Sequence, residues 1–401
     1  MATNTDIPQG YKATALGIIP QEWEMKTLGQ IANVFSGTTP SRENELFFND
    51  GTIPWVKTTD LNNGILTHTE ERITDIALKS TTLKVFSKGT VLIAMYGGFN
   101  QIGRTSILGI DATINQALSA LILNTKEITE YFLLYWLLYR VNKWKRYAAS
   151  SRKDPNITKT DVTRFPILVP PLAEQRKIAE VLGMWDEAIE KQVRLIEKLD
   201  LRKRALMQRL LSAKLRLPGF SDPWKELKIN KITIIRKGEQ VNKDVLFSNA
   251  KYPVINGGIT PSGYLDIYNT KANTITISEG GNSCGYVNFM TTPFWSGGHC
   301  YTIEAKDGIN NLCIYQLLKN NEKYIMSLRV GSGLPNIQIK DLGNLKFMIP
   351  TYQEQTAIAE VLTASDREIE LAKEKLERLR RQKRGLMQQL LTGKKRVKYG
   401  N

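Results

Sequence analysis

Residues Pro155 to Arg216 recur without a gap, displaced by 180 positions, as Pro335 to Arg396. A chain that writes one long helix twice, each time behind a mixed globular segment, folds as two copies of one device. Pro170, Glu174, Gln175, Ile178, Ala179, Glu180, Val181, Leu182, Asp186, Ile189 and Glu190 all return at this spacing, as do Lys203, Arg204, Leu206, Met207, Leu210, Leu211 and Arg216. The Pro-Asn-Ile runs at 155 to 157 and 335 to 337 belong to the same register, and so do Tyr135 and Tyr315. Near the front of each copy the offset becomes 201, where Trp23, Ile31 and Gly37 meet Trp224, Ile232 and Gly238. The first globular segment therefore carries about 21 extra residues, net.

At 401 residues the chain has room for two domains with their own cores and a shared helical part. The boundaries expected are a domain over 1–169, a helix over 170–216, a domain over 217–350 and a helix over 351–401. No apolar run reaches the ~18 residues of a membrane span. The candidate from Tyr131 to Val141 reads as a packed helix. The N-terminus lacks the basic and apolar regions of a secretion signal, so a cytoplasmic protein is expected. Cys284, Cys300 and Cys313 show no CxxC spacing, which speaks against disulfides and structural zinc. His299 beside Cys300 is read as a packed strand end rather than a ligand pair.

A net charge of +16 is spread along the chain rather than held in a tail. That suits a protein lying along a polyanion. Cations near the helix C-termini, such as Arg202, Lys203, Arg204, Arg380, Arg381 and Lys383, also complement helix dipoles.

One face of the first helix reads Ile178, Leu182, Trp185, Ile189, Gln192, Ile196, Leu199, Lys203, Leu206, Leu210. The second reads Ile358, Leu362, Ser365, Ile369, Ala372, Leu376, Leu379, Lys383, Leu386, Leu390. Steps of four and three alternate throughout, the 3.5-residue period of a coiled-coil seam. Each seam carries a lysine at the same place, either a register device or a side chain snorkelling to the seam's edge. Each helix should be ~58 Å long. The intervening domain, with a radius of gyration of ~14 Å, cannot carry the chain back along a parallel coil. The helices are therefore expected to run antiparallel, with a domain at each end and an approximate twofold axis. Such a body would read two DNA half-sites across an unread spacer.

The globular segments are α+β in character, with strands at Ile53–Val56, Thr90–Tyr96 and Leu118–Leu123, and at Tyr252–Asn256, Thr274–Ser278 and Cys300–Ile303. The loops Tyr96–Arg104 and Glu279–Tyr286 combine glycine with aromatic, amide and basic residues. Base-edge readout needs such side chains, and ordinary tight turns use them too. The candidate DNA contacts in the first copy are Lys57, Tyr96, Asn100, Gln101, Arg104, Lys143, Lys145, Arg146, Arg152 and Lys153. In the second copy they are Asn256, Tyr264, Asn282, Ser283, Tyr286 and Arg329. Neither loop fits GxxxxGK[ST] or GxGxxG, and HExxH, GxSxG and the Asn-Pro-Pro-aromatic run of amino-methyltransferases are missing. The chain reads as a binder without chemistry. A DNA-modifying enzyme and a coiled-coil adaptor whose globular ends bind proteins are the alternatives.

The two copies of Pro-x-x-x-Glu-Gln-x-x-Ile-Ala-Glu-Val-Leu, at Pro170–Leu182 and Pro350–Leu362, together with the Pro-Asn-Ile turns and the Trp-anchored starts, resemble the specificity subunit of type I restriction-modification enzymes. The resemblance covers almost the whole chain. It implies two target recognition domains, each reading one half of a bipartite site on double-stranded DNA, with the conserved helices setting the spacing. It implies partners as well: a pair of methyltransferase (modification) subunits docked near those helices, and restriction/translocase subunits. S-adenosylmethionine, ATP and Mg would be bound by these partners, leaving this chain with no cofactor, no metal and no catalytic residue. The recognition loops vary within the family, so no base contact transfers by motif.

Overall fold

The computed structural model describes residues 7–148, 156–331 and 335–398, less the side chain of Lys145. Arg152 and Lys153 lie outside the described residues. The chain divides into two compact units, one of 1–191 with 376–401 and one of 192–375. The unit boundaries thus cut through both long helices rather than falling at their ends.

In the first unit, a five-stranded sheet runs in the order Ala32–Ser36, Leu118–Leu123, Val91–Ala94, Thr105–Leu108, Ile65–Leu66. Its central strands are buried on both faces, and the period of two sends alternate residues to different cores. Val91, Ile93, Ile107 and Leu121 join a cluster with Phe132, Leu133, Trp136 and Leu137 of the helix Glu130–Tyr139. Leu92, Ala94, Leu108, Leu118 and Ala120 join Val56 and Ile114 of a three-stranded sheet ordered Thr113–Ile114, Ile53–Val56, Glu71–Ile73. A strand pair, Glu24–Thr27 with Pro166–Val169, closes the domain at the foot of the long helix.

The second unit repeats this plan. Its four-stranded sheet runs Thr233–Lys237, Cys300–Ala305, Thr274–Ser278, Val287–Met290, beside a three-stranded sheet of Gly263–Leu265, Tyr252–Ile255 and Trp295–Ser296. Lys225–Lys228 pairs with Lys346–Ile349 as the closing ribbon. Ile275, Ile277, Tyr301 and Ile303 face the main core. The opposite face, apolar in the first unit, is here built from the buried Thr276, Ser278, Cys300 and Thr302.

Equivalent hydrogen bonds fix the correspondence of the two units. The Gly37 amide donates to Leu118 O as the Gly238 amide does to Cys300 O. Both glycines are forced by close approach, since a Cβ on Gly37 would stand 2.1 Å from Asn115 O and one on Gly238 2.3 Å from Gly297 O. The Met95 amide donates to Ala117 O and its carbonyl accepts from Ile157 N, as Glu279 does with His299 O and Ile337 N. Between these anchors the offset falls from 201 to 184, so most of the extra length of the first copy lies between Gly37 and Met95. That stretch holds the additional strand Ile65–Leu66 and the helix Asp75–Ser80.

The long helices span Leu172–Leu210 and Tyr352–Leu391. In the first unit Asp186 meets Lys383, Ile178 and Leu182 share a cluster with Leu386, Met387, Leu390 and Leu391, and Glu174 meets Arg396. Falling numbers in one helix thus meet rising numbers in the other, and the pairing is antiparallel. The second unit repeats the relation, with Gln192 donating to Ala372 O at 2.9 Å, Lys203 on Asp366, and Met207, Leu210 and Leu211 clustered with Ile358 and Leu362. Leu199, Ile369 and Ala372 form the seam there. Trp185, Ile189, Ile196, Leu206 and Leu379 are half-buried on the same face, and Leu376 is buried. The sequence register omits Met207 and Met387, which are buried beside it. No described helix is long and apolar enough to cross a membrane.

The repeated polar residues form two matching clasps. In the first unit the carboxylate of Glu174, fully buried, accepts from Trp23 Nε1 at 2.9 Å and from Arg396 Nε and Nη2 at 2.6 and 2.9 Å. In the second, Glu354 accepts from Trp224 Nε1 at 3.0 Å and from Arg216 at 2.6 and 2.8 Å. A fork-to-fork pair of this kind is the strong form of an ion pair, and here both oxygens of each carboxylate accept from donors. Next to each clasp, Gln175 and Gln355 tie the helix start to the domain. Gln175 accepts from Thr129 N and donates to Glu127 O and Pro170 O, while Gln355 accepts from Asn310 N and donates to Pro350 O. The seam lysines are neither register devices alone nor free snorkels, because each pairs across the coil with an aspartate that a domain residue also holds. Tyr135 donates to Asp186 at 2.7 Å and Gln316 Nε2 to Asp366 at 2.8 Å. Burial and then the Asp186 hydrogen bond push the Tyr135 phenol up, so it stays a donor.

Candidate nucleic-acid interface

In each unit the glycine-rich loop leaves the central strand of the main sheet at the same point. Gly103 and Gly285 are equivalent, each donating to the last residue of that strand, Ala94 and Ser278. Both have positive φ, 79° and 89°, and a Cβ would stand 2.7 Å from Trp144 and 2.8 Å from Met326. Only glycine turns the chain there while the second helix that follows, Val141–Ala148 or Glu322–Ser327, presses against it.

The loop of the first unit exposes Tyr96, Phe99 and Asn100, and Arg104 Nη1 donates to Gln101 Oε1 at 2.8 Å. The arginine and glutamine therefore present one joined polar edge. Lys143 is half-buried and Arg146 exposed on the helix Val141–Ala148, whose buried Trp144 stacks on Phe165 at 3.7 Å. Lys57 is a correction. Its Nζ is held by Glu71 at 2.6 Å and Glu70 at 2.9 Å, and the Glu71 hydrogen bond leads the causes that raise its pKa. The side chain staples a turn rather than reaching outward.

In the second unit, Asn256 and Ser283 come together on a groove of about 540 Å3 that also takes in Lys237, Gly257, Glu279, His299 and Asn336. Asn256 Oδ1 accepts from His299 N at 3.0 Å, and Ser283 Oγ donates to Gly257 O at 2.5 Å. Asn282 and Arg329 are exposed nearby in sequence but do not line this groove. Tyr264 sits on the strand Gly263–Leu265, opposite Pro253. Tyr286 is a further correction, because its half-buried ring lies under Lys319 Nζ at 4.4 Å and burial raises its pKa.

Sequence reasoning missed Glu279, Lys237 and His299. Glu279 was legible only as the first residue of a turn, since its partners Lys237 and Tyr301 lie 42 and 22 positions away. Lys237 donates to its Oε1 at 2.6 Å and the Tyr301 hydroxyl at 3.0 Å. Burial, then that hydrogen bond, pushes the Tyr301 phenol up, so it donates across the neutral range. The three thiols are buried; burial pushes Cys300 up to about 11 and Cys313 up to about 12, so both are protonated at neutral pH.

A second groove, about 650 Å3, lies in the first unit between the helix Glu130–Tyr139 and the first long helix. Tyr131, Arg176, Met184 and Glu187 line it, and Met184 is 63% exposed.

Two units with one scaffold, one carboxylate clasp each and divergent loops define a duplicated recognition protein. The sequence profile of the type I restriction modification DNA specificity domain matches residues 20–199 and 221–381, and the chain belongs to that family. It is 26% identical over 377 residues to the type I restriction enzyme MjaIX specificity subunit of Methanocaldococcus jannaschii, covering 85% of this chain and 86% of that one. It is 34% identical over 170 residues to a putative type I specificity subunit of Mycoplasma pneumoniae, covering 42% and 45%. In fold it matches the crystal structure of the type I restriction-modification S subunit from M. genitalium, with TM-score 0.62 and 20% identity over 98% of both chains.

Proposed function

We propose that this chain is the DNA-reading subunit of a type I restriction-modification assembly, each unit reading one half of a bipartite site. The observation that carries this reading is the division of labour within the repeat. Clasp and glycine hinges are the same in both units and the helix seam recurs with three changes in ten positions, whereas the residues at matched loop positions differ. Selection for one scaffold with two contact surfaces is what an asymmetric two-part site requires. The spread of positive charge supplies phosphate attraction to both parts. The helix pair, each helix about 58 Å long at 1.5 Å per residue, would set the unread spacer.

Two modification subunits would dock along the conserved helices, with the Met184 groove as one contact, and restriction subunits would join them. Adenine methylation with S-adenosylmethionine and ATP-driven, Mg-dependent cleavage would then be the partners' work, in the cytoplasm. Exchanging residues 220–350 for the matching segment of another family member tests the reading. Selection of bound duplexes should show one half-site replaced and the other unchanged. Replacement of both, or of neither, would contradict independent readers.

A further inference from the structure

The groove of the second unit has a floor whose hydrogen bonding is incomplete. Glu279 is 8% exposed, and its Oε1 is occupied by Lys237 and Tyr301. Its Oε2 is buried and has no hydrogen-bond donor among the described residues. Nδ1 of His299 stands 3.5 Å from Oε2, too far for a good hydrogen bond. A buried carboxylate oxygen left in this state costs stability unless something donates to it.

The fold itself does not ask for a carboxylate here. Met95 holds the equivalent place in the first unit, with the same two backbone hydrogen bonds. Its Sδ accepts from Ser119 Oγ at 2.9 Å, and Ser119 is the counterpart of Tyr301. One scaffold position thus carries a neutral thioether in one reader and a carboxylate with a spare lone pair in the other. The His299 ring stands beside that oxygen, and with its side chain 63% exposed it has room to turn outward. Lys237, 52% exposed at the rim, keeps its Nζ on Oε1 and so leaves Oε2 as the oxygen without a donor.

We infer that Glu279 is a specificity-determining residue of the second reader: its free oxygen accepts a hydrogen bond from the exocyclic amino group of a base, cytosine N4 or adenine N6, offered in the major groove. The inference rests on the DNA-reading function proposed above. The first reader, with Met95 at this position, makes no such contact, so the two half-sites differ in the base read here.

The test is selection from randomised duplexes by the full-length chain with its modification subunits, for the native protein and for Glu279→Gln and Glu279→Met. The native protein should prefer an amine-bearing base at one position of the half-site assigned to residues 220–350, and the letter selected distinguishes cytosine from adenine. Glu279→Gln places a donor where the acceptor stood. It should lose about tenfold preference at that position alone and shift toward guanine or thymine, which offer carbonyl oxygens. Glu279→Met, the residue the first unit already carries, should flatten the same position and leave the others intact. An unchanged preference, or an equal loss at every position, would overturn the assignment. A native protein with no sequence preference would overturn the DNA-reading function and the inference with it.

Discussion

Replacing Glu174 by alanine is expected to destabilise the first unit by about 3 kcal/mol, the low end for breaking a buried ion pair. The change removes the carboxylate that the Trp23 indole and the Arg396 fork share, and Glu174 itself is 0% exposed. Arg396 keeps Glu22 at 2.9 Å and retains 32% side-chain exposure, which moderates the loss. Hydrogen exchange reads the effect locally, because stability differs between parts of a molecule. Amides of the paired strands Glu24–Thr27 and Pro166–Val169 should lose about a hundredfold protection, 1.4 kcal/mol being a factor of ten. Amides of Lys225–Lys228, in the other unit, should change little. Glu354→Ala should reverse this pattern. Protection unaltered at Glu24–Thr27 after Glu174→Ala would show that the clasp is incidental.

Ending the chain after Leu217 is expected to give a chain that dimerises. The core of the first unit includes Met387, Leu390 and Leu391, with Leu386 packed against them, and its clasp is closed by Arg396, all from the far end of the chain. The truncated chain still contains identical residues 180 positions earlier, as Leu206, Met207, Leu210, Leu211 and Arg216. These stand at the end of its own continuous helix Leu172–Leu210 and cannot fold back on that helix's start. A second copy can supply them, and each copy completes the other across a twofold axis. Light scattering should give twice the chain mass, and the selected DNA should become palindromic. A folded monomer, or a dimer that selects two unlike half-sites, would contradict this account of how the copies interlock.

Much of this was written in the repeat. The four-three spacing of Ile178, Leu182, Trp185 and Ile189 and of their copies defines the seam, and the packing between the helices follows from it. The recurring Trp23, Glu174 and Arg216 marked the clasp residues. Their cross-pairing was not legible, because Glu174 is held by Arg396, 222 positions away, rather than by the arginine of its own copy. Nor was the equivalence of Met95 and Glu279. The offset drifts from 201 to 180 along the globular segments, and only the backbone hydrogen bonds restore the register. Lys57 and Tyr286 looked like contacts because lysine and tyrosine suit DNA, yet both are spent on intramolecular partners. A loop residue's outward role depends on which neighbours folding brings to it, and the local pattern carries no record of them.

The function proposed above requires two readers that act independently, each on one half of the site. Mapping methylated positions across the genome of cells carrying this chain and its partner subunits tests it most directly. The account predicts two short, unlike sequence blocks separated by a constant number of unspecified bases. One contiguous block, or a gap whose length varies from site to site, would contradict it.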